Sequence, residues 1–291
     1  MTDGGGPARG AGGRQAGRRK EDRRRQGIVR VAAVGDFHCG EEDLGRYRDA
    51  FARVNDEADV LLLAGDLTRR GTPPEFRVVA NELADVRVPI LAVLGNHDHE
   101  SGQADEGVAI LREHGVHLLD GEPYELEGTQ VGFAGVKGFI GGFGRFTLTA
   151  FGEAETKAIV GTTLDEVQRL EFSLRRLSTP VRVVLLHYAP IYDTVKGEPE
   201  QIIPFLGNDR LVEPIDRFKA AVVFHGHAHH GTFEGRTPGG VPVFNVSHVL
   251  VKAAGAGEMY FLYDIAIPGE HETADEPEAT PMGVGGSVMG G

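Results

Sequence analysis

The sequence predicts an α/β fold in which two sheets pack face to face with helices on the outside. Three observations carry that reading. Short β-branched or leucine-rich runs recur through the body of the chain without polar alternation, the pattern of strands covered on both faces. Helical stretches separate the first three of these runs, which implies a mainly parallel sheet. The later chain adds short strand-like runs joined by turns, which implies a second, more antiparallel sheet packed on the first.

Residues 28–34, 60–64, 90–94, 181–186 and 221–224 read as the buried strands. Between the second and third, Thr72-Pro73-Pro74-Glu75 combines a capping Thr, a Pro suited to the first helical turn and a Glu that can complete a capping box, so a helix is expected over residues 73–84. Thr163-Leu164-Asp165-Glu166 repeats that start signal ahead of Val167, Leu170, Leu174 and Leu177, which share one helical face. Residues 124–126, 131–134, 232–233, 241–245 and 259–267 supply the later strands.

The boundaries follow from composition. Residues 1–26 are rich in Gly and Arg with almost no large apolar side chains, and residues 269–291 are dominated by Gly, Pro, Glu and Ala, so both are expected to be disordered tails flanking one domain over residues 27–268. Among the 291 residues the net charge is −13, and the first thirty residues oppose it with nine Lys or Arg against three Asp or Glu. The remainder is acidic enough to repel extended nucleic acid. Cys39 is the only cysteine, which excludes an intramolecular disulfide, and no apolar run approaches the roughly 20 residues of a bilayer span. The arginines of residues 18–25 prompt the question of a twin-arginine export signal, but only a short strand-like run follows. A cytoplasmic location is the default expectation, with a small-molecule substrate and no membrane.

Each buried strand leads to a polar residue of ligand type: Gly35-Asp36, Gly65-Asp66, Gly95-Asn96, Leu186-His187 and Gly226-His227. In open α/β sheets the site lies beyond the carboxyl ends of the strands, so these residues can converge. Four of the five follow a glycine, where a backbone without Cβ can turn tightly and let neighbours approach. Asp36 with His38, and His227 with His229, lie two apart and point to one side if the chain is extended there. Asp36, His38, Asp66, Asn96, His187, His227 and His229 together make a donor set large enough for two adjacent cations, with the Asp66 carboxylate able to bridge them. Its mixture of Asp, Asn and His suits manganese, iron, zinc, cobalt or nickel.

DFH at Asp36, GD at Gly65, GNHD at Gly95, His187 and GHAH at Gly226, in that order, resemble the signature of the calcineurin-like metallophosphoesterases, over about residues 28–267. The resemblance implies a four-layer αββα sandwich of two mixed β-sheets. It puts Asp36, His38 and His229 on one metal, Asn96, His187 and His227 on the other, and Asp66 between them. His97 would be the catalytic histidine, with Asp98 beside it to orient the imidazole.

Within the family the pattern is similar to the bacterial class III cyclic nucleotide phosphodiesterases, which implies hydrolysis of small phosphodiesters by hydroxide shared between two metals, with His97 protonating the leaving group. The same ligands serve phosphomonoesterases, pyrophosphatases and nucleases. A scaffold that only binds a partner is the reading from another class, and it predicts lost ligands, whereas all seven are present. His99, His225 and His230 read as packing or exposed residues, and the ligand set is complete without Cys39. Residues 138–152, rich in Gly and Phe, form either a lid over the site or a plain connection.

Overall fold

The structure is a computed structural model that describes residues 20–268. Among them eleven strands form two sheets. In chain order the strands are β1 (Ile28–Val34), β2 (Val60–Ala64), β3 (Ile90–Val93), β4 (Val116–Leu118), β5 (Tyr124–Glu125), β6 (Val131–Val136), β7 (Val181–Leu186), β8 (Val222–His225), β9 (Glu234–Arg236), β10 (Pro242–Asn245) and β11 (Phe261–Ala266). The first sheet has the order β11-β1-β2-β3-β4 and the second β5-β6-β7-β8-β10-β9.

Burial on both faces explains why the strands lack alternation. Val29, Val31 and Ala33 of β1 enter the core between the sheets, where they meet Leu62, Leu91, Phe133, Leu185 and Phe224. Ala32 and Val34 face outward and pack with Phe76, Val79 and Leu111 of the helices Pro73–Glu82 and Ala104–Glu113. On the far side, Val184 and Leu186 of β7 pack against Val167, Leu170 and Leu174 of the helix Ala154–Arg176. Helix, sheet, sheet and helix therefore stack as four layers.

Several expectations change. The second sheet is parallel along β6-β7-β8-β10, with antiparallel partners only at its edges, β5 and β9. The long terminal strand β11 joins the first sheet instead, antiparallel to β1. The run at 232–233 precedes its strand, which begins at Glu234. The helix Ala154–Arg176 begins nine residues before Thr163, whose hydroxyl sits inside the helix, 3.1 Å from the Ile159 carbonyl and 2.8 Å from that of Ile140. A Thr that bonds back along the helix carries the residue type of a cap without its place. At Thr72 the signal is real: the Glu75 carboxylate accepts from the Thr72 and Arg70 N–H groups at 3.2 and 2.9 Å.

Residues 20–25 are helical and bring Arg23 and Arg24 within 3.8 and 3.5 Å of the buried Asp59, so the end of the arm is docked where a mobile segment was expected. The rest of the arm and the tail from residue 269 lie outside the described residues. Among the described residues no helix is long and apolar enough to cross a membrane.

Candidate metal centre

The loops after β1 and β2 run side by side as a continuation of the sheet. Asp36 N donates to the Gly65 carbonyl at 2.9 Å, His38 N to Asp66 at 3.1 Å and Cys39 N to Leu67 at 2.9 Å. The end segments are not extended. Asp36, His38, Asp66 and His227 take φ of 57°, 44°, 49° and 72°, leaving Lys219 as the one other non-glycine residue with positive φ among those described. That conformation is costly for residues bearing a Cβ, and its concentration at four candidate ligands marks a site the surrounding fold enforces.

Close approach, more than turning, explains the glycines. A Cβ on Gly95 would lie 2.1 Å from Asp66 Oδ1, and one on Gly226 would lie 2.3 Å from Asp36 Oδ2.

The expected ligands converge. His229 Nε2 lies 3.2 Å from Asp36 Oδ1 and 3.4 Å from His38 Nε2. His38 Nε2 lies 4.0 Å from Asp66 Oδ2, and His187 Nε2 lies 3.4 Å from Asp66 Oδ1 and 3.0 Å from Asn96 Oδ1. Three groups have one donor atom per residue within 4.8 Å of the others: Asp36, His38 and His229; His38, Asp66 and His97; Asp66, His187 and His227. Asp66 thus stands where the last two meet.

Backbone carbonyls set the ring tautomers. His187 Nδ1 donates to Ala64 O at 2.9 Å, which leaves the Nε2 lone pair aimed at oxygens of Asp66 and Asn96. His227 Nε2 donates to Phe205 O at 3.1 Å, which leaves Nδ1 as its free donor atom. Such a convergence of acceptor atoms in a buried cleft calls for a shared proton on Asp66 or a cation between the donors. Asp36 is fixed in turn by the His227 N–H, 3.0 and 2.9 Å from its two oxygens, and Asp66 by the His97 N–H at 2.8 Å.

The electrostatics suit that donor set at every imidazole but His229, which its hydrogen bond to Asp36 raises. Burial, then the Asp36 and Asp98 carboxylates, push the Asp66 carboxyl up to about 9. Burial also opposes ionisation of Asp36, but the His229 hydrogen bond, the nearby imidazoles and the His227 N–H outweigh it and bring Asp36 down to about 2. Burial lowers His38 to about 4 and lowers His187 and His227 as well, which keeps these rings neutral with lone pairs available. Neutral imidazoles around crowded carboxylates fit divalent cations.

Asp98 departs from its expected role. Its carboxylate has backbone and hydroxyl donors as its hydrogen-bond partners, accepting from Leu67 N (3.2 Å), Thr68 N (2.9 Å), Thr68 Oγ1 (2.6 Å) and Gly95 N (2.8 Å). It clamps the loop after β2 to the loop after β3. The His97 ring is held instead by Nδ1 against the Arg69 carbonyl at 2.9 Å, with Glu100 Oε2 3.4 Å away.

Sequence reasoning missed the carbonyls of Ala64, Arg69 and Phe205, which no residue type announces. It also missed Tyr188, whose ring centroid lies 4.4 Å from that of His227, and Lys137, whose Nζ lies 5.1 Å from the Tyr188 centroid. Tyr188 follows His187 directly, a signal that was there to read. His225 is buried with its nitrogens 2.8 Å from Gly226 O and Thr194 Oγ1, whereas His99 and His230 are exposed. Cys39 packs in the outer core of the first sheet, and burial pushes its thiol up to about 12.

A model of the calcineurin-like phosphoesterase family matches residues 29–231, and the chain belongs to that family. Its fold is similar to that of the phosphopantetheinyl hydrolase PptH of Mycobacterium tuberculosis, with a TM-score of 0.59 and 16% identity over 86% of this chain and 98% of that one. TT1561 of Thermus thermophilus gives a TM-score of 0.50 and 15% identity over 83% of this chain and 100% of that one. A probable cyclic nucleotide phosphodiesterase of Fibrobacter succinogenes is 25% identical over 81 residues, a match that spans 25% of this chain and 32% of the relative.

Proposed function

We propose that this chain is a metal-dependent phosphoric ester hydrolase that cleaves small phosphodiesters, cyclic nucleotides among the candidates, at a centre of two divalent transition metals. The observation that carries the reading is the convergence of Asp36, His38, Asp66, Asn96, His187, His227 and His229, with His187 Nε2 3.0 Å from Asn96 Oδ1 and 3.4 Å from Asp66 Oδ1. The name of the Fibrobacter succinogenes relative supports the diester class.

Two cations supply hydroxide at neutral pH and neutralise the phosphoryl oxygens. The chain's part is to hold and orient. Asp36 and Asp66 are pinned by backbone N–H groups, while the Ala64 and Phe205 carbonyls fix the donor nitrogens of His187 and His227. His97 is anchored at Nδ1, so its Nε2 is the atom that gives a proton to the leaving oxygen.

Chelation should abolish hydrolysis of a phosphodiester panel, and manganese or another transition metal should restore it. Elemental analysis should find two metals per chain, and full activity in metal-free protein would overturn the proposal.

A further inference from the structure

The loop that carries His227 and His229 follows β8, and the φ of 72° at His227 is a conformation the chain holds only with help from its surroundings. The connection after β7 braces that loop. Thr194, fully buried in the 3₁₀ turn Tyr192–Val195, accepts at its carbonyl from Thr232 N at 3.1 Å and from Asn245 Nδ2 at 3.4 Å. Its Oγ1 lies 2.8 Å from Nε2 of His225, whose Nδ1 lies 2.8 Å from Gly226 O. Thr232 Oγ1 returns a bond to Lys196 O at 3.0 Å. The two backbones are pressed together, since a Cβ on Gly197 would lie 2.2 Å from the His230 carbonyl oxygen and one on Gly231 2.2 Å from that of Thr194.

Glu198 ends the brace. Its side chain is buried, and its Oε1 accepts from His230 N at 2.7 Å. That N–H belongs to the planar peptide unit that begins at the Cα of His229, so holding it holds the origin of the His229 side chain. His229 depends on its backbone more than the other imidazoles do. His187 and His227 have ring nitrogens on the carbonyls of Ala64 and Phe205, whereas the partners of the His229 ring are Asp36 and His38, candidate ligands themselves.

We infer that Glu198 is a positioning residue for His229, setting its ring opposite Asp36 and His38 through one peptide unit. This role rests on the metal-centre reading and deepens it.

The test compares wild type, Glu198→Gln and Glu198→Ala, each first stripped of metal, by calorimetric titration with manganese and by amide hydrogen exchange. Glu198→Ala should weaken one of the two bound ions by about 10- to 100-fold, the usual loss when an outer partner of a metal ligand is removed, and spare the ion on Asn96, His187 and His227. Glu198→Gln, whose amide oxygen can accept the same N–H, should bind as the wild type does. In metal-free protein the His230 amide should exchange faster in Glu198→Ala, by a larger factor than Val223 in β8, and at the wild-type rate in Glu198→Gln. Unchanged affinity for both ions in Glu198→Ala overturns the role, as does a Gln variant as weak as the Ala variant. Equal weakening of both ions, with His230 and Val223 exchanging faster by the same factor, would make Glu198 a general stabiliser and overturn it too. If the wild type takes up no manganese while His230 exchange responds as expected, the metal-centre reading alone fails and the hold on His229 stands.

Discussion

Replacing Asp98 with Asn should unfold the protein more easily without abolishing the function of His97. The Asp98 carboxylate is fully buried and takes two donors on each oxygen: Leu67 N and Gly95 N on Oδ2, Thr68 N and Thr68 Oγ1 on Oδ1. Burial pushes this carboxyl up while those hydrogen bonds oppose it, and an acceptor with four donors around it fits the ionised form. An amide turns one of the two oxygens into a donor. It therefore loses two bonds and sets an N–H group against others.

Hydrogen bonds to a charged group contribute about 1.5–3 kcal/mol each, so the two lost bonds remove about 3–6 kcal/mol. For a domain of this size that lowers Tm by about 6–24 °C. The assay is thermal unfolding of the metal-loaded protein, paired with hydrolysis well below Tm of one ester with an alkyl leaving group and one with a nitrophenyl leaving group. The two rates should keep their wild-type ratio. An unchanged Tm with selective loss on the alkyl ester would refute the clamp and return Asp98 to the imidazole.

Two further outcomes follow from the same geometry. His97→Ala should retain both metals yet lose about 10²–10⁴ in rate on esters with alkoxide leaving groups and much less on nitrophenyl esters, since a stable phenolate departs without a proton; equal slowing of both would remove the acid role. In chelated protein, Asp66 at about 9 lies above its unfolded value, so the folded state holds a proton that the unfolded chain has lost. The Asp66 contribution should then fall as pH rises from 3.8 to about 9, by up to about 1.4 kcal/mol per pH unit, a loss offset below 6.5 by the lowered His38, His187 and His227 and uncompensated by them above it, and denaturant titrations should show no such fall once metal keeps Asp66 ionised.

Strand ends are legible in the sequence because their residue types are unusual there. A polar residue directly after a buried apolar run can be seen without coordinates, and Asp36, Asp66, Asn96, His187 and His227 all obey that pattern. Sheet membership is harder to read. Nothing local separates β7, which pairs with β6, from the strands of the first sheet, because both kinds are buried on two faces and have the same composition. β11 reads as one more late strand, and only its register with β1 places it in the first sheet. Thr163 shows the limit of motif reading, since a capping sequence inside a long helix finds its hydrogen bond one turn back.

The place of Asp98 has a more general physical cause. Adjacency in sequence does not give adjacency of side chains here, because His97 and Asp98 begin a 3₁₀ turn, Asn96 lying just before it, and neighbouring residues on such a turn point in different directions. The His97 ring therefore meets the Arg69 carbonyl and Glu100, three residues on, while Asp98 turns inward to the loop after β2. The same backbone that presents Asn96 and His97 to the centre thus supplies, one residue later, the clamp that fixes their loop. Arg69 closes the circuit: its loop is bonded through Leu67 N and Thr68 N to Asp98, and its carbonyl holds the His97 ring. Asp98 acts on His97 through the backbone, so loosening the clamp should blur the position of the whole loop, Asn96 included, before it changes the protonation of any one ring.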